Sequence, residues 1–132
     1  MKTLYNRVLL SACLCACCGL VAEAADRVRP GQWELTITVA GHTIAKATCI
    51  TQSDADAING NAQSIKAYAE KVSAPAGCKV NDVKISGNQV VVTSVCASEK
   101  ENVGTTTYHG DRFETVNTNG TTSHAKWVGP CK

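Results

Sequence analysis

The sequence predicts a mainly β domain of the α+β class. It is an antiparallel meander of about six strands, with one helical insertion packed on the sheet and two disulfides stapling it. Three observations lead there. Residues 32–39 alternate apolar and polar side chains strictly. Short runs rich in Val, Ile and Thr recur between turn signals such as Ser86-Gly87-Asn88 and Asn119-Gly120. An even set of cysteines, Cys49, Cys78, Cys96 and Cys131, follows an exportable leader. Period two marks a half-buried strand, Gly-containing breaks mark hairpins, and paired cysteines in a small exported chain mark disulfides.

The leader is residues 1–24. Lys2 and Arg7 give it a basic start, Val8 to Ala22 an apolar core, and Ala22-Glu23-Ala24 a small-x-small cleavage site. This is the pattern of a secretory signal peptide. The apolar run falls short of the roughly 20 residues that cross a bilayer. Cleavage leaves residues 25–132 as one domain and removes Cys13, Cys15, Cys17 and Cys18. The expected location is the periplasm or the exterior. The alternative is a lipid anchor on Cys13 or Cys17, because Leu10-Ser11-Ala12-Cys13 has the residue types of a lipoprotein box and Leu14-Cys15-Ala16-Cys17 is a looser one.

The whole chain carries 13 basic and 11 acidic side chains, a net charge of +2. Losing Lys2, Arg7 and Glu23 leaves 11 and 10, a net charge of +1. That balance argues against nucleic acid or acidic lipid as the main partner, since both require clustered Lys and Arg.

Arg29-Pro30-Gly31 forms an opening turn, with φ fixed at Pro30 and freed at Gly31. In the strand that follows, Trp33, Leu35, Ile37 and Val39 face one way, and Glu34, Thr36 and Thr38 the other. Ala40-Gly41-His42 turns the chain, and residues 43–50 return as a second strand carrying Cys49. Residues 51–77 lack alternation and are rich in alanine. Thr51 and Ser53 are N-cap candidates, and Asp54 and Asp56 suit a helix start, where free N–H groups favour negative charge. Asn59-Gly60-Asn61 interrupts. Beyond it Ala62, Ile65, Ala69 and Val72 share a helical face, with Tyr68 beside them.

A turn centred on Gly87 makes residues 78–96 a hairpin whose facing residues sum to 174. Ile85 then meets Gln89, Val83 meets Val91, and Cys78 meets Cys96. Directly opposed residues in an antiparallel pair have Cβ atoms about 4.5–5.5 Å apart, close to what a disulfide needs. The expected bridges are therefore Cys78–Cys96 and, with the remaining pair, Cys49–Cys131; a turn shifted by one residue would set Cys78 and Cys96 diagonal and weaken the pairing without excluding it. The second closes a long loop and in the chain-entropy model contributes roughly 4 to 5 kcal/mol, less any strain. A metal reading is weaker because no pair has C-x-x-C spacing. The remaining strands are residues 104–108, 112–118 and 121–128, with turns at His109-Gly110-Asp111 and Asn119-Gly120.

Several landmarks together resemble a known family. They are Arg29-Pro30-Gly31-Gln32-Trp33-Glu34, Cys49-Ile50-Thr51 before a helix, and Gly77-Cys78-Lys79-Val80 leading through Ser86-Gly87-Asn88 to Cys96. Gly129-Pro130-Cys131 completes the set. The chain resembles domain of unknown function 3617, small exported bacterial proteins. The resemblance implies a bacterial source, a periplasmic location and a disulfide-bonded β-rich fold. It carries no activity, substrate or catalytic residue. The alanine-rich segment from Ala55 to Ala76 is longer and more helical than the family pattern implies.

No constellation for catalysis stands out. His42 and His109 fall in turns and His124 in a strand, so all three read as surface histidines rather than metal ligands. No serine sits in a nucleophile elbow, and bridged cysteines have no thiolate. Glu99 with Glu101, and Asp54 with Asp56, read as solvated charge. Trp33 reads as core. Trp127 also suits the core, but it is the candidate anchor for a partner. The threonine-rich strands read as a soluble sheet face. The expectation is a monomeric, non-enzymatic binding or interaction protein of the cell envelope, without cofactor or metal, whose partner is an envelope protein or a small apolar ligand. A carrier of an apolar ligand would hold it in a pocket lined by residues such as Trp33, Ile37, Ile65 and Val91. An unrecognised envelope enzyme and an enzyme inhibitor are the remaining alternatives.

Overall fold

The computed structural model describes residues 26–97 and 99–132. The expected signal peptide, its expected cleavage site and the cysteines of the alternative lipid anchor lie outside the described residues. Seven strands form one antiparallel sheet: β1 Gly31–Val39, β2 His42–Ile50, β3 Lys79–Ser86, β4 Gln89–Val95, β5 Asn102–Tyr108, β6 Arg112–Asn117 and β7 Thr122–Gly129. The order across the sheet is β2-β1-β7-β6-β5-β4-β3. The seven strands are the seven segments that the alternation and turn signals mark, one more than the total of about six. The edges β2 and β3 are consecutive in the chain, so the segment joining them has to cross a face of the sheet.

That segment holds two helices, α1 Gln52–Asn59 and α2 Ala62–Ser73, rather than one. Thr51 caps α1 by accepting from the Asp54 N–H at 3.1 Å. Asn61 caps α2 by accepting from the Ser64 N–H at 2.9 Å. Asn59-Gly60-Asn61 is therefore the end of one helix and the cap of the next. A single 3₁₀ turn, Ala74–Ala76, follows and closes on Gly77 at φ 67°.

The helices cover the face that carries Trp33, Leu35 and Ile37. Trp33 is fully buried, and its indole N–H donates to the Arg29 carbonyl at 3.1 Å. Around it pack Val28, Ile50, Ala55, Ile58 and Ala125. A second cluster, Ile65, Val80, Val83 and Val90, lies where α2 meets β3 and β4. Tyr108 packs against both clusters. Truncating an aromatic so placed typically costs about 3–5 kcal/mol.

The β3–β4 hairpin departs from the expected register. Gly87 and Asn88 form a two-residue turn, so Ile85 faces Val90 rather than Gln89, and Val83 faces Val92 rather than Val91. Gly87 takes φ 58°, as the first central residue of a II′ turn requires. Asn81 then drops out of the ladder, because Asp82 faces Thr93 while Val80 faces Ser94. This bulge absorbs one residue and restores the sum of 174 for the rest of the strand. Cys78 and Cys96 meet and are bridged. Cys49 is bridged to Cys131, with Cα atoms 5.5 Å apart, which ties the chain end to the edge strand β2.

Candidate functional site: a groove under the helices

The helices cross the inner face without filling it. α1 buries Ala55 and Ile58, and α2 buries Ile65. Between α2 and the centre of the sheet the helix offers mainly small side chains. There a groove of about 380 Å³ remains. Leu35, Ile58, Val72 and Phe113 give it apolar walls, and Val28 and Ile50 close its depth. Tyr68, Tyr108, Thr48 and Thr106 add hydroxyl groups, and Lys46 the one charged group of the lining. Val72 is 54% exposed although it stands on the apolar stripe of α2, because the sheet below it is groove rather than core.

Each wall follows from local sequence. Leu35 is the middle apolar position of β1. Phe113 faces Ala125 on β7, and the small alanine leaves room for its ring to tilt against Trp33 at 5.3 Å and Tyr108 at 5.5 Å between centroids. The mouth of the first core cluster is strapped by Asn59. Its amide donates to the Val28 carbonyl at 2.8 Å, and its carbonyl oxygen accepts from the Val28 N–H at 3.0 Å. Arg27 donates to the Ile58 carbonyl at 2.9 Å and caps the end of α1.

Electrostatically the groove is a neutral donor surface with one cation. Burial pushes the Tyr108 hydroxyl up to about 12, opposed in part by the Arg27 guanidinium. Burial, and then the charge of Asp54, raise Tyr68 as well. Both phenols remain protonated donors across the physiological range. Asp54 is already engaged. It is bonded to Lys71 at 3.0 Å and accepts from the Thr51 hydroxyl at 2.9 Å, and these partners hold its carboxyl below the ordinary value. The groove thus offers apolar surface and neutral hydrogen-bond donors, the composition of a small-molecule binding site.

The residues expected to line a carrier pocket do not converge. Trp33 and Ile65 are consumed by the core, and Ile37 lies beyond the groove along β1. Val91 faces Lys84 and Thr105, on the opposite side of the sheet from Val90 and Val92. Trp127 is half-buried beside Gly31. Its indole N–H donates to the Pro30 carbonyl at 3.1 Å, and the Arg29 guanidinium lies 3.5 Å from its ring centroid. The three histidines are exposed. His109 and His124 flank Glu114 at 3.5 and 3.8 Å on the outer face, while His42 pairs with Val39 at the β1–β2 turn. Among the described residues no group of three His, Cys, Asp or Glu is placed to hold a metal ion. No helix among them is long and apolar enough to cross a membrane.

Lys46, Tyr108 and Phe113 are not singled out by sequence, and Tyr68 is read only as a neighbour of the helix's apolar face. A signal for Lys46 existed. Thr48 and Ile50 share its parity in β2, and a two-residue turn at Ala40-Gly41 sets facing residues to sum to 81, which places all three on the face of Leu35.

Fold and groove together define a class: a small antiparallel-sheet domain, stapled by two disulfides, with a helical pair laid over an apolar groove. Two disulfides are the mark of a non-cytoplasmic protein. The chain belongs to the family described as Protein of unknown function (DUF3617), whose profile matches residues 28–131. Comparison with curated proteins and with solved structures finds no match.

Proposed function

We propose that this is an exported, monomeric, non-catalytic binding protein of the bacterial cell envelope, and that it holds a small apolar ligand in the groove beneath α2. The observation that carries the reading is the groove itself. Leu35, Val72 and Phe113 leave apolar surface open on the core side of the sheet, where a domain this small has every reason to bury it. Its volume lies within the range of small-molecule sites, at the lower end. The leader at residues 1–24 supports a periplasmic or secreted location, with lipid anchoring at Cys13 or Cys17 as the alternative. The two disulfides suit a pre-formed site, since they fix β2 and the β3–β4 hairpin, the two edges the helices bridge.

Native mass spectrometry of the unreduced protein from its own host tests this. The expected result is a monomer carrying extra mass that is lost on denaturation. A bare chain in every preparation, or a stable complex with another protein and an empty groove, would count against an apolar-ligand carrier. Extra mass that survives denaturation would instead identify a lipid anchor.

A further inference from the structure

The groove has a polarity as well as a shape. Lys46 stands on the same side of the sheet as the apolar core residues, because Leu35 is its direct partner across the β1–β2 ladder. Among the described residues its ammonium has no acidic partner; the lysines in ion pairs are Lys71 and Lys84. Asp54, the acid whose charge reaches Tyr68, is bonded to Lys71 and Thr51. The other polar groups of the lining are the hydroxyls of Thr48, Thr106, Tyr68 and Tyr108. Thr106 is bonded to Thr115 at 2.8 Å, while no protein partner within the described residues takes the Tyr108 hydroxyl. The lining therefore contains one cation, several neutral donors and no carboxylate.

We infer that the groove takes a single-tailed amphiphile with a carboxylate head, of the medium-chain fatty acid class, its tail against Leu35, Val72 and Phe113 and its head at the Lys46 ammonium. This rests on the apolar-ligand reading above and adds the head group. One lysine is a point charge that matches one negative charge. A phosphate monoester head carries about −1.5 to −2 at pH 7, which one lysine leaves partly unmatched. The volume suits one medium tail: at about 30 Å³ for each water-sized group, 380 Å³ accommodates roughly a dozen non-hydrogen atoms.

Isothermal titration of the disulfide-bonded protein, purified from a host that exports it, separates the two layers of the reading. The probes are decanoate, decanol and decyltrimethylammonium, each below its micelle concentration. Decanoate should saturate at one site, with decanol and the cation about tenfold weaker or worse. Lys46→Met should weaken decanoate about tenfold and remove its margin over decanol. Val72→Asp, at an exposed position that leaves the core intact, should abolish both. Equal affinity for decanoate and decanol, or decanoate binding indifferent to Lys46→Met, overturns the head-group inference while the groove stands. Absence of binding by all three probes, or binding indifferent to Val72→Asp, overturns the groove reading as well.

Discussion

Lys46 lies directly opposite Leu35, so a charged side chain shares the face of the sheet that holds the core. Burial of apolar area contributes about 25 cal/mol per Å², and an unpaired ammonium on this face forfeits it. Lys46→Leu should therefore raise stability by roughly 0.5–1 kcal/mol, read as a higher urea midpoint with an unchanged slope. A site kept for function commonly costs stability in this way. A lower midpoint would mean that the lysine stem already packs as well as leucine.

Tyr108 joins the two core clusters and sets a limit at alkaline pH. Its folded-state value, about 12, lies above the ordinary value of 10.0. The folded protein thus keeps a proton that the unfolded chain gives up. The resulting stability is fully present below pH 10 and is lost as pH rises from there towards 12. The loss amounts to about 2–3 kcal/mol for one group shifted this far. Denaturant titrations at stepped pH should show wild type weakening over that interval and Tyr108→Phe weakening less. Parallel losses in the two proteins would assign the alkaline sensitivity elsewhere.

The β1–β2 turn stores a correctable strain. Ala40 at φ 48° and Gly41 at φ 80° give the two positive angles of a I′ turn, and Ala40 is the one non-glycine residue among those described with positive φ. An L-residue with a Cβ pays roughly 1–2 kcal/mol in that region, which Asn tolerates better. Ala40→Asn should stabilise by about 0.5–1 kcal/mol without moving any residue of the groove. A neutral or destabilising result in thermal unfolding would contradict the turn assignment.

Cys78 faces Cys96 only because Asn81 stands outside the ladder. Deleting Asn81 leaves Asp82 opposite Thr93 and Val80 opposite Ser94, so the bridge should still form. Deleting Ser94 from the facing strand moves Cys96 by one position and turns it to the other face. That variant should show a pair of free thiols by alkylation under denaturing conditions. A free pair in the Asn81 deletion, or none in the Ser94 deletion, would show that the bulge does not set the pairing.

The same hairpin shows how far the sequence can be read. Alternation in β1, the Thr51 cap and the cysteine pairing were legible, because each depends on spacing or on local hydrogen bonding. The register near Gly87 was not, since a turn centred on one residue and a turn centred on two differ by a single position. The pairing of Cys78 with Cys96 was reached despite that error, because the shift at the turn and the bulge at Asn81 cancel. The groove was less legible still. Trp33, Ile37, Ile65 and Val91 are apolar in sequence, but periodicity does not say which apolar residues are consumed by the core and which are left open. That distinction depends on where α2 crosses the sheet. Tyr68 and Tyr108 owe their place to packing between elements distant in the chain, and no spacing rule marks it.

A methyl-resolved NMR titration of the unreduced protein with decanol decides whether the groove under α2 is the ligand site. Saturable shifts should be confined to the groove methyls, those of Val28, Leu35, Ile50, Ile58 and Val72, with the outer-face methyls of Val91 and Val116 unmoved. Shifts centred on the outer face, or none at any position, would contradict it.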